Sequence, residues 1–213
     1  NLFKDYGGNL NQFLFNQSKW FNAGRFFPLL ITIIFLKAKL LGSHYLIHHL
    51  IVFFSGVTIA FFAYKILRLK NISNTNSLIG ALILFTGNAY GEIYWRLICG
   101  EGPGLLFYVI GLYYSLSYFD QKSSKKLWLS ILFLTAAALT KESFILLMPI
   151  AYLIPLIGVN SISEAKQLIN DNKKIYTIAL SVFTFLMVVL IFMILTAVKI
   201  FDYGSPLSLK ETI

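Results

Sequence analysis

"AALTKESFILLMP", residues 137–149, breaks an otherwise apolar run from Leu127 to Ile157 with a lysine and a glutamate side by side. A charge at the centre of a membrane-spanning helix costs about 2.5–3.5 kcal/mol on insertion scales, so Lys141 and Glu142 together would cost about 5–7 kcal/mol there. The run is also too long for one span. A continuous helix from Leu127 to Ile157 would reach about 46 Å at ~1.5 Å per residue, against a hydrocarbon core of about 30 Å. Two short helices meeting at Lys141-Glu142 remove both difficulties.

The rest of the composition agrees with a membrane setting. Of 213 residues, 57% are hydrophobic and 16% aromatic, and only 13% are charged, about half the fraction of a typical soluble domain. The expected fold class is all-α, a polytopic transmembrane helical protein. Lys and Arg outnumber Asp and Glu by 18 to 9. In such a protein that excess belongs in cytoplasmic loops, so no nucleic-acid partner is expected. Cys99 is the single cysteine, which excludes an intrachain disulfide or a multi-cysteine metal centre. The chain starts at Asn1 without a signal peptide and ends in "SPLSLKETI", and it reads as a piece of a longer protein.

Tyr45–Ile66, Ser77–Trp95, Pro103–Phe119 and Ile175–Val198 are each long and apolar enough to span. With two more helices from 127–157 this predicts about six transmembrane helices. Three connections carry three cations each: 65–76 (Lys65, Arg68, Lys70), 120–126 (Lys122, Lys125, Lys126) and 159–174 (Lys166, Lys173, Lys174). All three belong in the cytoplasm by the positive-inside rule. Between 126 and 159 the chain must then cross an even number of times, which makes "TKES" an outer hairpin. The same bookkeeping gives three regions: residues 1–44 as an extracytoplasmic loop, 45–198 as the transmembrane domain, and 199–213 as the start of another outer loop. Within the first, Pro28 to Leu41 spans only about 21 Å. Pro28 suits a first helical turn, and Lys37 and Lys39 lie near the end, so the segment reads as an interfacial helix on the outer leaflet.

The outer face collects Asp5, Arg25, Glu92, Arg96, Glu101, Lys141, Glu142 and Asp202, with Lys4 and Lys19 nearby. Ionisable groups at a membrane are functional candidates when they converge. In "GEIYWRLICGEGPG", residues 91–104, Glu92 and Arg96 have the spacing of a helical ion pair, and the glycines and Pro103 mark a turn into a helix whose amides can hold an anion. Lys141-Glu142 is either a hairpin whose lysine reaches the headgroups or a cation held for a phosphate. His44 and His48 have i, i+4 spacing, which fits an aromatic-belt role better than a metal site because no further ligand motif accompanies them. Glycosylation sequons at Asn16 and Asn71 carry little weight, since Asn71 falls on the cytoplasmic side.

Taken in order, Asp5, "GRFFPLL" at 24–30, "YLIHHLIVFF" at 45–54, "GEIYW" at 91–95 and "ALTKESFILLMPIAYLI" at 138–154 resemble the multispanning GT-C glycosyltransferases. The resemblance is to the protein O-mannosyltransferase and tetratricopeptide-linked mannosyltransferase group and to aminoarabinose transferase-like bacterial relatives, and it covers the chain to about residue 157. It implies a GT-C-like fold with a transmembrane helix before Asn1. It also implies transfer of a sugar from a polyprenyl-phosphate donor to a protein, lipid or polysaccharide acceptor at the extracytoplasmic face, with inversion. Asp5 matches the family's acidic loop residue, implicated as catalytic base or metal contact. Arg25, Arg96 and Lys141 then serve the donor phosphate, with Glu92, Glu101 and Glu142 in support. No cofactor is certain, and whether a divalent metal takes part stays open. The family's setting is the bacterial cytoplasmic membrane or, alternatively, the endoplasmic reticulum membrane.

Two departures stand beside the likeness. Lys4-Asp5 replaces the family's frequent pair of acids, and Glu101 replaces a basic residue. They give weight to an alternative, a catalytically inactive assembly protein on the same fold. A transporter or flippase of a lipid-linked saccharide is the other alternative, and it would place ionisable groups deep in discontinuous helices. Residues 46–64, 104–119 and 176–198 contain no Asp, Glu, Lys or Arg. The topology predicts that single cysteines at Asn74, Ser124 and Ser163 resist an impermeant thiol reagent applied from outside, while one at Asn16 reacts. Outside labelling at Ser163 would mean that 127–157 crosses once.

Overall fold

The computed structural model describes residues 28–42, 44–86, 101–157, 159 and 161–202. Of these, 91% are helical, and no strand occurs among them, as the all-α reading requires. In chain order the helices are α1 (Pro28–Leu41), α2 (Tyr45–Leu69), α3 (Asn74–Thr86), α4 (Glu101–Gln121), α5 (Ser124–Thr140), α6 (Ser143–Leu153), α7 (Ile162–Asp171) and α8 (Lys173–Asp202). A single 3-10 turn, Ile154–Leu156, extends α6.

The apolar run does break at Lys141-Glu142. Lys141 is extended (φ −159°, ψ 132°), and its N–H still reaches the Ala137 carbonyl at 3.3 Å. The next turn is caught at once, by Phe144 N–H on the Lys141 carbonyl and Ile145 N–H on the Glu142 carbonyl, each at 3.0 Å. So the chain reverses with few unsatisfied backbone groups at the break, the condition for a turn at an apolar boundary.

Among the described residues, two stretches are long and apolar enough to cross a membrane, Leu46–Leu69 in α2 and Lys173–Leu195 in α8. The other expected spans differ in kind. α4 has the length, with 21 residues, but its apolar character is diluted by small and hydroxyl residues turned inward: Gly104, Gly111, Ser115 and Ser117 are buried. α5 and α6 have 17 and 11 residues, each short for a core of about 30 Å. α3 ends its described part at Thr86, so the rest of Ser77–Trp95 lies outside the described residues. At the far end α8 runs to Asp202, past the boundary expected at 198. α1 has the bounds expected of the short outer helix. It has no distinct polar face, its two lysines Lys37 and Lys39 falling on nearly opposite sides, and it buries Leu30, Ile31 and Phe35 and contacts α5.

The core lies among α4, α5, α6 and α8. Leu127, Ile131 and Leu134 of α5 meet Met148 and Tyr152 of α6 and Ile175 and Leu186 of α8. α4 and α5 make the most extensive contact, and Gly111 lies tightly packed within it. A Cβ there would stand 2.7 Å from Leu134 Cγ and 3.0 Å from the Leu134 backbone nitrogen. Ile59 of α2 packs on Val109 of α4 in a second cluster. Outward, the same helices show Phe54 and Phe61 on α2 and Phe185 and Phe192 on α8. Large apolar groups thus line the outer surface as well as the core, while Ser77, Ser115, Ser117, Ser130 and Thr140 are buried, an arrangement suited to helices in a hydrocarbon surrounding.

One buried hydroxyl answers a specific backbone defect. Pro155 has no N–H to give the Ala151 carbonyl one helical turn earlier, and Ser115 Oγ of α4 donates to that carbonyl at 2.9 Å. Tyr108 OH donates to the Leu147 carbonyl at 3.2 Å, so α4 is tied to α6 at two successive turns.

The connections between helices sort to two ends. The turn after α4 meets the α7–α8 junction, where Lys122 Nζ donates to Asn172 Oδ1. A cleft of about 220 Å³ beside it is lined by Leu69, Lys70, Phe119, Asp120, Pro155 and Leu168 among others. The three lysine-bearing connections therefore share one end of the bundle, and the α5–α6 break lies at the other.

Ser115→Ala should lower unfolding stability in detergent by about 1–3 kcal/mol, because it orphans a buried carbonyl. In a Pro155→Ala background, which returns an N–H to that turn, the loss should shrink. An equal loss in both backgrounds would sever the link between Ser115 and Pro155.

Candidate functional site at the Lys141 end of the bundle

Lys141 stands in the break between α5 and α6 because an extended residue there separates two apolar helices. Its ammonium donates to Glu101 Oε1, the first residue of α4, 40 positions away in sequence. The two side chains keep 30% and 45% of their exposure, so the pair sits at a half-open mouth rather than in a sealed core. Glu142 occupies the N-cap position of α6 with helical backbone angles (φ −57°, ψ −29°) and makes no side-chain cap hydrogen bond.

Gly104 explains how Glu101 reaches Lys141. A Cβ at 104 would collide with the Phe144 ring and with Thr140 Oγ1, so only glycine lets the first turn of α4 press on both sides of the break. The sequence reading took the glycines of "GEGPG" for a turn. Gly104 is instead a helix contact, one turn on from Glu101, and the spacing E-x-x-G is the local signal that a carboxylate and a close approach share one face.

The two outer-face residues Glu101 and Lys141 are thus brought together, with Glu142 next in chain. Asp5, Arg25, Glu92 and Arg96 lie outside the described residues. His48 Nε2 contacts the Gly42 carbonyl at 3.1 Å. A carbonyl only accepts, so Nε2 carries the proton. Among the described residues no three His, Cys, Asp or Glu side chains are grouped to hold a metal ion.

Chemically, the Lys141 ammonium is already neutralised by Glu101, so an anion reaches it only by displacing that carboxylate. An entering phosphate has more acceptor oxygens than Glu101 and the same sign of charge, so it competes for the same N–H donors. The short α5–α6 connection and the glycine contact fix the lysine backbone, so an anion meets a positioned ammonium rather than a free surface lysine. No family model, no curated protein and no solved structure matches the chain.

Proposed function

We propose that the chain is part of an integral membrane glycosyltransferase of GT-C type. About six helices cross the bilayer, and the Lys141 mouth opens on the extracytoplasmic face of a bacterial cytoplasmic membrane or, alternatively, of the endoplasmic reticulum. The donor is a polyprenyl-phosphate sugar and the acceptor a protein, lipid or polysaccharide nucleophile. The observation that carries this reading is the pairing of Lys141 with Glu101: a cation placed at one end of an apolar bundle, half exposed and fixed in position. A lipid-linked phosphate needs a headgroup site of that kind beside helices that its tail can follow. The order of motifs from Asp5 to Ile154 gives the reaction class.

In the proposed transfer the bond between the sugar's anomeric carbon and the phosphate oxygen breaks, and its electron pair stays on the polyprenyl phosphate. The acceptor oxygen or nitrogen bonds to the opposite face of that carbon and gives its proton to the Asp5 carboxylate. Lys141, with Arg25 and Arg96, neutralises the charge that grows on the departing phosphate.

In the full-length protein, Lys141→Ala should weaken polyprenyl-phosphate sugar binding by about 10- to 100-fold, the worth of one charge-assisted hydrogen bond. Lys141→Arg should recover part of it. Asp5→Asn should retain donor binding but lose about 10²–10⁴-fold in turnover. Unchanged donor binding in Lys141→Ala would overturn the phosphate role, and near-normal transfer by Asp5→Asn would remove Asp5 from the chemistry.

A further inference from the structure

The connection 159–174, expected as a cytoplasmic loop, folds as α7. Ser161 opens it in extended conformation, and its Oγ accepts from the Glu164 backbone N–H at 3.2 Å. Ile162, Ala165, Leu168 and Ile169 fall within an arc of about 120° at ~100° per residue. Ser163, Gln167, Asn170 and Asp171 fill the opposite side, Lys166 stands at the border next to Ile162 and Ile169, and Glu164 stands at the other border next to Leu168.

The protein uses only one edge of the apolar face. Leu168 turns into the cleft with Leu69 and Phe119, while Ile162 and Ile169 keep 79% and 39% of their exposure. Lys166 stands next to the exposed edge on α7, and Lys173 and Lys174, both exposed, open α8 directly after Asn172. Among the described residues none of these three is ion-paired. Asn172 alone separates α7 from α8, whose apolar stretch Lys173–Leu195 begins there. The apolar edge of α7 therefore lies at the level where α8 would enter a bilayer.

We propose that α7 is an interfacial helix that docks on an anionic phospholipid leaflet. Ile162 and Ile169 enter the acyl boundary, and Lys166, Lys173 and Lys174 meet the lipid phosphates. Charge complementarity selects this occupant: among the described residues the three lysines are in no ion pair, they stand in the same short stretch as isoleucines that water does not favour, and an anionic leaflet satisfies both at once. The inference rests on α2 and α8 spanning a bilayer, and it does not depend on sugar transfer.

The test places a nitroxide in the full chain, reconstituted in nanodiscs, on single cysteines at Ile169, Gln167 or Phe185 in a Cys99→Ser background. Collisions with oxygen report lipid, and collisions with a water-soluble nickel chelate report solvent. In discs containing phosphatidylglycerol, the Ile169 label should behave like the Phe185 label on the outer face of α8, and the Gln167 label should meet the chelate. Each reversal among Lys166→Glu, Lys173→Glu and Lys174→Glu should shift the immersed-to-free ratio of α7 by about fivefold or more. An Ile169 label open to the chelate overturns the proposal, as does one shielded from both probes, which would mean a protein contact. Equal immersion in discs of phosphatidylcholine alone overturns the anionic preference. A Phe185 label open to the chelate would instead sink the membrane-spanning reading on which the proposal stands.

Discussion

An ammonium at the edge of an apolar bundle is a constraint before it is a function. Lys141 cannot be buried alone, since an uncompensated charge in low dielectric costs several kcal/mol. Its partner Glu101 comes from a helix 40 residues earlier, and it arrives only because Gly104 lets α4 close on Thr140 and Phe144. The break between α5 and α6, the glycine contact and the ion pair are thus one device. Remove the glycine and the carboxylate retreats; remove the carboxylate and the lysine must find water or another anion.

A second constraint shapes the interior. With apolar side chains such as Phe54, Phe61, Phe185 and Phe192 turned outward, there is little hydrophobic gain left to hold the helices together if the surroundings are lipid. Close backbone approach and internal hydrogen bonds must do it. Gly111 against Leu134, Ser115 on the carbonyl that Pro155 leaves open, and Tyr108 on the Leu147 carbonyl all join α4 to α5 or α6. α4 is the hub for this reason, and its four tyrosines, together with its glycines and serines, lower its hydropathy below that of a simple span.

Much of this was legible in the sequence, and what escaped has physical causes. The helix break was legible because length and charge both forbade a continuous helix through Lys141-Glu142. The shared end of the three lysine-bearing connections followed from counting crossings. The identity of the lysine's partner did not follow, because the contact spans 40 residues and turns on Gly104, which has the same letter whether it makes a turn or a helix contact. α7 was missed although S-x-x-E at Ser161–Glu164 is a helix-start signal. Counting its lysines as loop charge hid the amphipathic period. Asp5, Arg25, Glu92 and Arg96 lie outside the described residues, so the sequence alone carries them.

The two ends of the bundle differ in how their charge is distributed, and this separates what orients the protein from what acts in it. Across 65–76, 120–126 and 159–174 there are nine Lys and Arg against Asp120, Glu164 and Asp171, a net charge of 9 − 3 = +6. At the opposite end the described charges at the break are Lys141, Glu101 and Glu142, a net of 1 − 2 = −1. Orientation by the positive-inside rule depends on the sum over short loops, so losing one lysine of nine leaves the bias in place. At the mouth the Lys141 ammonium is paired with the Glu101 carboxylate. A single substitution at Lys141 therefore changes the chemistry of the mouth while leaving the charge bias that orients the chain intact.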